Sequence, residues 1–126
     1  MIPPDEIAGW YIDGIRKDCR EYGGHIRFAW RADVPVGYCA IMTRVPNEEV
    51  DEQRFDYAYI SEIVIAKSAR GQGVGKALLR DAEALARAAN ANWLRISVLA
   101  KNTVAREIYD RFGFEEHVVT MEKPLK

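Results

Sequence analysis

Ile63-Val64-Ile65-Ala66-Lys67-Ser68-Ala69-Arg70-Gly71-Gln72-Gly73-Val74-Gly75-Lys76 is the stretch whose reading decides the fold. An apolar β-type run, Ile63-Val64-Ile65, leads into it, and an Ala/Leu-rich helical pattern from Val74 to Ala89 leads out. Three glycines, Gly71, Gly73 and Gly75, sit at the junction. Glycine has no Cβ, so the backbone there can turn sharply and come close to a ligand. The first turn of a helix has unpaired N–H groups and the positive end of the dipole. Strand, glycine turn and helix start together make a cradle for an anion such as a phosphate or pyrophosphate. The plainer alternative is that the glycines only permit a tight connection.

Two familiar phosphate motifs are excluded. The dinucleotide fingerprint needs Gly-x-Gly-x-x-Gly, whereas here the spacing is Gly-x-Gly-x-Gly. The P-loop needs a glycine five residues before Gly75 and Ser or Thr after Lys76; the chain has Arg70 and Ala77.

The stretch closely resembles the GNAT superfamily of N-acetyltransferases. Their acetyl-coenzyme A motif is Gln or Arg, two residues, Gly, one residue, then Gly or Ala, and Arg70, Gly73 and Gly75 match it. Downstream, Asn102, Tyr109 and Gly113-Phe114 match a second family pattern, in the right order and at the right separation. The resemblance covers roughly residues 24 to 121. It implies that the ligand is acetyl-coenzyme A and that no metal is needed.

Length and composition agree with one domain. The chain has 126 residues, 48% hydrophobic and 29% charged, enough to bury a core without metals or disulfides. A net charge of −1 argues against nucleic-acid partners, which call for a basic footprint. No apolar run approaches 18 residues, so no membrane span is expected, and Met1–Glu6 does not read as a signal peptide. Cys19 and Cys39 make neither a zinc site nor a disulfide scaffold and read as reduced core thiols, which fits a cytoplasmic setting. His25 and His117 have no metal-ligand partner at useful spacing.

In chain order, Pro3-Pro4-Asp5 starts a helix over 5–22, ended by Gly23-Gly24. Strands over 25–31 and 36–44 form an antiparallel hairpin through a turn at Asp33–Pro35. Residues 46–56 form an acidic loop, read either as a solvated loop or as a wall that attracts a cationic amine. Tyr57–Ile65 is the central strand, its apolar end buried on both faces. The helix over 74–89 puts Val74, Leu78, Ala82, Leu85 and Ala89 on one face, pairs Glu83 with Arg87, and is capped by Asn90. A strand over 93–99 follows, parallel to the previous one through a right-handed crossover. A helix over 102–112 and a last strand over 114–121 complete the chain. The expectation is therefore a mixed α/β (α+β) domain over 1–126, a central sheet flanked by helices. It resembles a GNAT core without the family's usual first strand. A homodimer is compatible with the resemblance.

The resemblance also implies roles. The backbone of Ile63, Val64 and Ile65 holds the pantetheine arm, and the N–H of Val64 or Ile65 stabilises the oxyanion. The N–H groups of Gly71, Gln72, Gly73, Val74, Gly75 and Lys76 hold the pyrophosphate, helped by the Arg70 and Lys76 side chains. Glu62, before the apolar run, is the candidate general base, working through water or a raised pKa. Ser97, on the next strand, cannot be the base alone. Tyr109 is the candidate general acid for the leaving thiolate, and Asn102 contacts the cofactor arm or caps its helix. The expected reaction is direct attack of a primary amine, on a small molecule or a protein, on acetyl-coenzyme A in a ternary complex. The alternative is a non-catalytic acyl-coenzyme A-binding or assembly module of the same fold.

Overall fold

The computed structural model describes residues 22–46 and 57–126. The expected helix over 5–22 up to residue 21, Cys19 and most of the acidic loop lie outside the described residues. Four strands are laid down as β1 (Gly24–Arg31), β2 (Val34–Val45), β3 (Tyr57–Ile65) and β4 (Trp93–Ile96). Between β3 and β4 come a short 3₁₀ turn (Lys67–Ala69) and helix α1 (Val74–Ala88); helix α2 (Thr103–Phe112) follows β4. The sheet order is β1-β2-β3-β4, antiparallel except for the parallel β3–β4 pair. Mixed pairing follows from connection length: hairpin strands run antiparallel, and the helical crossover through α1 makes β4 parallel to β3.

β2 is the most buried strand, with eight consecutive buried residues from Val36 to Thr43. It has a strand on each side, so both its edges are covered. The core cluster packs Cys39, Ile41, Ala58 and Ile60 of the sheet against Leu78, Leu79, Ala82 and Ala86 of α1. Val74 and Leu85 pack at its margin, while Ala89 is exposed one turn beyond it. Arg27 of β1 reaches Asp81 of α1 through two hydrogen bonds, 2.8 and 3.0 Å. Both side chains are partly solvated, so the pair contributes about 1 kcal/mol or less.

Helix ends follow the chain chemistry. Asn90 adopts φ 61° just past α1, and its N–H donates to the Arg87 carbonyl at 3.0 Å. Gly113 closes α2 at φ 113°. The Glu83–Arg87 pair forms at 3.6 Å.

Three expectations fail. The apolar end of β3, Ile63–Ile65, is half-buried rather than enclosed, because no strand among the described residues covers its outer side. β4 stops at Ile96 instead of Leu99. Residues 114–126 join no ladder, although 114–121 has strand-type composition. Propensity marks what a segment can do in a sheet; it supplies no partner.

Candidate functional site

The site begins at an irregularity in β3. Ala40 of β2 pairs with Glu62, but the next residue, Ile41, pairs with Ile60. Ser61 is the extra residue of a bulge. The bulge keeps Ala58 and Ile60 on the α1 face and, after one inserted residue, puts Ile63 and Ile65 on that face too. At the same level the parallel pairing of β3 and β4 ends: Ile60–Ile96 is the last rung. Beyond it the two strands part around a cleft of about 290 Å³, lined by Ser61, Glu62, Ile63, Ser97, Asn102 and Tyr109 among others.

Parted strands leave peptide groups without ladder partners. On the β2 side, Gly37, Tyr38 and Cys39 face Ile65, Val64 and Ile63 in regular register. The Ala66 N–H donates to the Val36 carbonyl at 2.7 Å, which fixes the phase of the alternation. Antiparallel neighbours alternate between paired and outward positions. Val64 therefore turns its N–H and C=O to β2, while Ile63 and Ile65 turn theirs to the cleft. Of the two oxyanion donors named from the sequence, this geometry offers Ile65 and withdraws Val64.

The glycine turn lies at the end of the same open edge. Gly71 and Gly73 have φ of 75° and 83°, and a Cβ built on either meets nothing within 4 Å. The glycines answer to backbone conformation and leave open space above the turn. Gly75 answers to packing: its Cβ would stand 2.8 Å from Ile65 Cδ1. Gly73 is the N-cap of α1, no side chain caps that end, and its first turn holds no acid. The first-turn N–H groups are thus available to an anion.

Side chains brace this turn. Arg70 Nε donates to the Ile65 carbonyl at 3.3 Å. Gln72 donates through Nε2 to the Ser68 carbonyl at 3.2 Å, and its Oε1 accepts from the Arg31 guanidinium. Arg31, at the end of β1, was not singled out in the sequence; its distance of 41 residues from Gln72 hides the contact.

Tyr109 and Asn102 come from α2. Asn102 is the N-cap, and its Oδ1 accepts the Ala105 N–H at 3.2 Å, which leaves its amide nitrogen to serve a second partner. Tyr109 packs its ring edge-on to Phe114, centroids 5.9 Å apart, and against the core cluster. Burial, with the Cys39 thiol adding to it, raises the Tyr109 phenol above its usual 10.0, so it holds its proton at neutral pH. Glu62 and Tyr109 line one cleft.

A hydroxyl pair was also missed. Tyr59 Oη and Ser97 Oγ are 2.9 Å apart across β3 and β4, just past the last rung. Neither a tyrosine nor a serine in a strand announces such a bridge. Among the described residues, no group of three or more His, Cys, Asp or Glu could hold a metal, and no helix is long and apolar enough to cross a membrane.

The chain is similar to known proteins. The model of the acetyltransferase (GNAT) family matches residues 3–114. The chain is 33% identical over 92 residues to the chloroplastic GCN5-related N-acetyltransferase 6 of Arabidopsis thaliana, a match that takes in 66% of the chain but 32% of that protein. The chain thus spans about a third of that relative's length. Its fold superposes on a putative acetyl transferase from Pyrococcus furiosus with TM-score 0.74 and 25% identity, over 99% of this chain and 81% of that one. It superposes on the aminoglycoside N-acetyltransferase AAC(6')-Iy in complex with CoA with TM-score 0.69 and 20% identity, over 90% of each chain.

Proposed function

The chain belongs to the acetyltransferase (GNAT) family, and on that premise we propose that it transfers the acetyl group of acetyl-coenzyme A to a primary amine. The observation that carries the reading is the alignment along one strand edge of three things: the glycine turn, the outward peptide groups of Ile63 and Ile65, and a cleft holding Glu62 and Tyr109. An amide-rich arm ending in a diphosphate matches that sequence of donors and acceptors.

In this reading the N–H groups from Gly71 to Lys76 hold the diphosphate, with Arg70 and Lys76 adding positive charge. Ile63 and Ile65 pair with the arm as a strand would, and Asn102 offers its amide nitrogen from the facing side. Acetyl-coenzyme A supplies the thioester, whose carbon forms a bond to the amine nitrogen as its bond to sulfur breaks. Glu62, through water, takes the proton that the nitrogen gives up. The Ile65 N–H faces the oxyanion. Tyr109 gives its proton to the departing sulfur. Direct attack in a ternary complex needs no nucleophile from the protein.

The acceptor is a primary amine of a small molecule or a protein, and the acidic residues of 46–56 favour a cationic one. The aminoglycoside N-acetyltransferase among the structural neighbours supports an amine acceptor of this class. The free, buried thiol of Cys39 supports a reducing, cytoplasmic setting for a single domain over 1–126.

A turnover assay over a broad amine panel tests the proposal. Release of free coenzyme A that depends on an amine, and falls about 100-fold in Tyr109→Phe, is the expected result. Binding of acetyl-coenzyme A without transfer to any amine would instead identify a binding module.

A further inference from the structure

β1 sends two arginines to the side of the sheet that faces α1. Alternation along the strand puts Arg27, Ala29 and Arg31 on one face, and Ala29 packs against the core cluster there. Arg27 takes a carboxylate in the body of α1, with two bonds to Asp81. Arg31 reaches further along, to the turn that precedes the helix, and takes a neutral side chain: its guanidinium donates to Gln72 Oε1. Among the described residues no carboxylate is ion-paired with Arg31. The bond to the amide oxygen is charge-assisted, which makes it stronger than one between neutral groups.

Gln72 occupies a special place. It stands between Gly71 and Gly73, whose φ are 75° and 83°. Glycine loses more conformational freedom than any other residue when it is fixed. Gln72 is the one side chain within Gly71-Gln72-Gly73, so it is the handle by which other parts of the chain can hold this turn. Both ends of its amide are engaged: Nε2 donates to the Ser68 carbonyl at 3.2 Å, and Oε1 accepts from Arg31. The first bond stays inside the connection between β3 and α1. The second ties that connection to a strand 41 residues away. A Cβ built on Gly71 or Gly73 meets nothing within 4 Å, so the turn is held through Gln72 while the space beside both glycines is open.

We propose that Arg31 is a positioning residue of the diphosphate site. By holding Gln72 it keeps Gly71-Gln72-Gly73 in the conformation whose N–H groups converge on an anion. Arg31 acts through Gln72 and needs no contact with the ligand. A turn that is already fixed loses less freedom on binding, and affinity rises for that reason alone. The inference rests on the reading of the glycine turn as the seat of the diphosphate of acetyl-coenzyme A. It goes beyond that reading in assigning a role to a residue of β1, outside the strand, turn and helix that make the cradle.

Calorimetric titration with coenzyme A, and with pantetheine, which has the arm without the diphosphate, tests it. Arg31→Ala is expected to raise the Kd for coenzyme A about tenfold and to leave that for pantetheine unchanged. Gln72→Ala, which keeps its backbone N–H, is expected to do the same. The double variant is expected to lose about tenfold as well, rather than the roughly hundredfold product of independent effects, because both changes break one contact. Arg31→Lys keeps a charged donor and is expected to bind coenzyme A within about threefold of the wild type. A wild-type Kd in Arg31→Ala overturns the proposal and leaves the reading of the turn standing. So does an equal loss for pantetheine, which would mark a general loosening of the fold, and so does full multiplication of the two single effects. A wild type that binds no coenzyme A overturns the reading of the turn and this proposal with it. If Arg31→Ala does not fold, Arg31→Met, which keeps the apolar stem, takes its place in the comparison.

Discussion

Ile60 and Ile96 form the last rung between β3 and β4, and the bulge at Ser61 falls immediately after it. The two events together turn a closed sheet into a fork. The bulge re-aims β3 so that Ile63 and Ile65 keep packing on α1 while their peptide groups face the gap. Replacing the Ile65 amide by an ester removes an N–H that no strand among the described residues uses. Affinity for acetyl-coenzyme A is expected to fall by about 1 kcal/mol, roughly fivefold, with the melting point nearly unchanged. The same replacement at Val64 removes a rung to β2 and lowers the melting point instead. Calorimetric titration and thermal melts of the two semisynthetic proteins make the comparison.

Tyr109 supplies a pH prediction. Its phenol must be protonated to act as an acid, and its pKa lies above 10.0 because burial disfavours the phenolate. On the alkaline side kcat is expected to show no loss attributable to this group up to about pH 10. Tyr109→Phe lowers kcat about 100-fold with a small change in the KM for acetyl-coenzyme A, a split that steady-state kinetics reads directly.

Two glycines of the site differ in why they are glycine, and stability measurements separate them. A Cβ on Gly37 would lie 2.7 Å from the Val64 carbonyl oxygen, which is backbone and cannot yield without moving β3. Gly37→Ala is expected to cost about 1–3 kcal/mol in denaturant unfolding. A Cβ on Gly75 meets only Cδ1 of Ile65, the far end of a flexible side chain. Gly75→Ala is expected to stay within about 1 kcal/mol of the wild type, helped by the better helix propensity of alanine.

Cys39 makes stability fall in alkali. Burial first, and the Asp81 charge second, push its thiol from 9.0 up to about 12. Below pH 9 both the folded and the unfolded chain hold the proton, and the contribution to stability is intact. Between pH 9 and about 12 only the unfolded chain releases it, so unfolding gains about 1.4 kcal/mol per pH unit from this group. Cys39→Ala is expected to flatten the slope of unfolding free energy against pH by about one proton over that window.

Most of the fold was legible in local pattern. The hairpin of β1 and β2, the extent of β3 and the helix behind the glycine turn all follow from periodicity and turn residues that lie close together in the chain. Glu62, Tyr109 and Asn102 were named through the resemblance to the GNAT family, and they line one cleft. What stayed hidden depends on pairing between distant segments. The bulge at Ser61 exists only as a mismatch of register between β2 and β3. The Arg31–Gln72 and Tyr59–Ser97 bridges join residues far apart in sequence. The strand expected at 114–121 has the composition of a strand, but ladder partners come from tertiary placement, and the described residues pair none with it.

The central claim is that the glycine turn and the fork take acetyl-coenzyme A, and ligand-dependent melting tests it most directly. A ligand that binds only the folded form stabilises it by about 2.7 kcal/mol at 100 times its Kd. The wild type is expected to melt at higher temperature with acetyl-coenzyme A. Gly73→Glu, which puts a carboxylate and a strained φ of 83° where the diphosphate would lie, is expected to show no ligand-dependent shift whatever its own melting point. No shift in the wild type at millimolar ligand, or an equal shift in Gly73→Glu, would contradict the account.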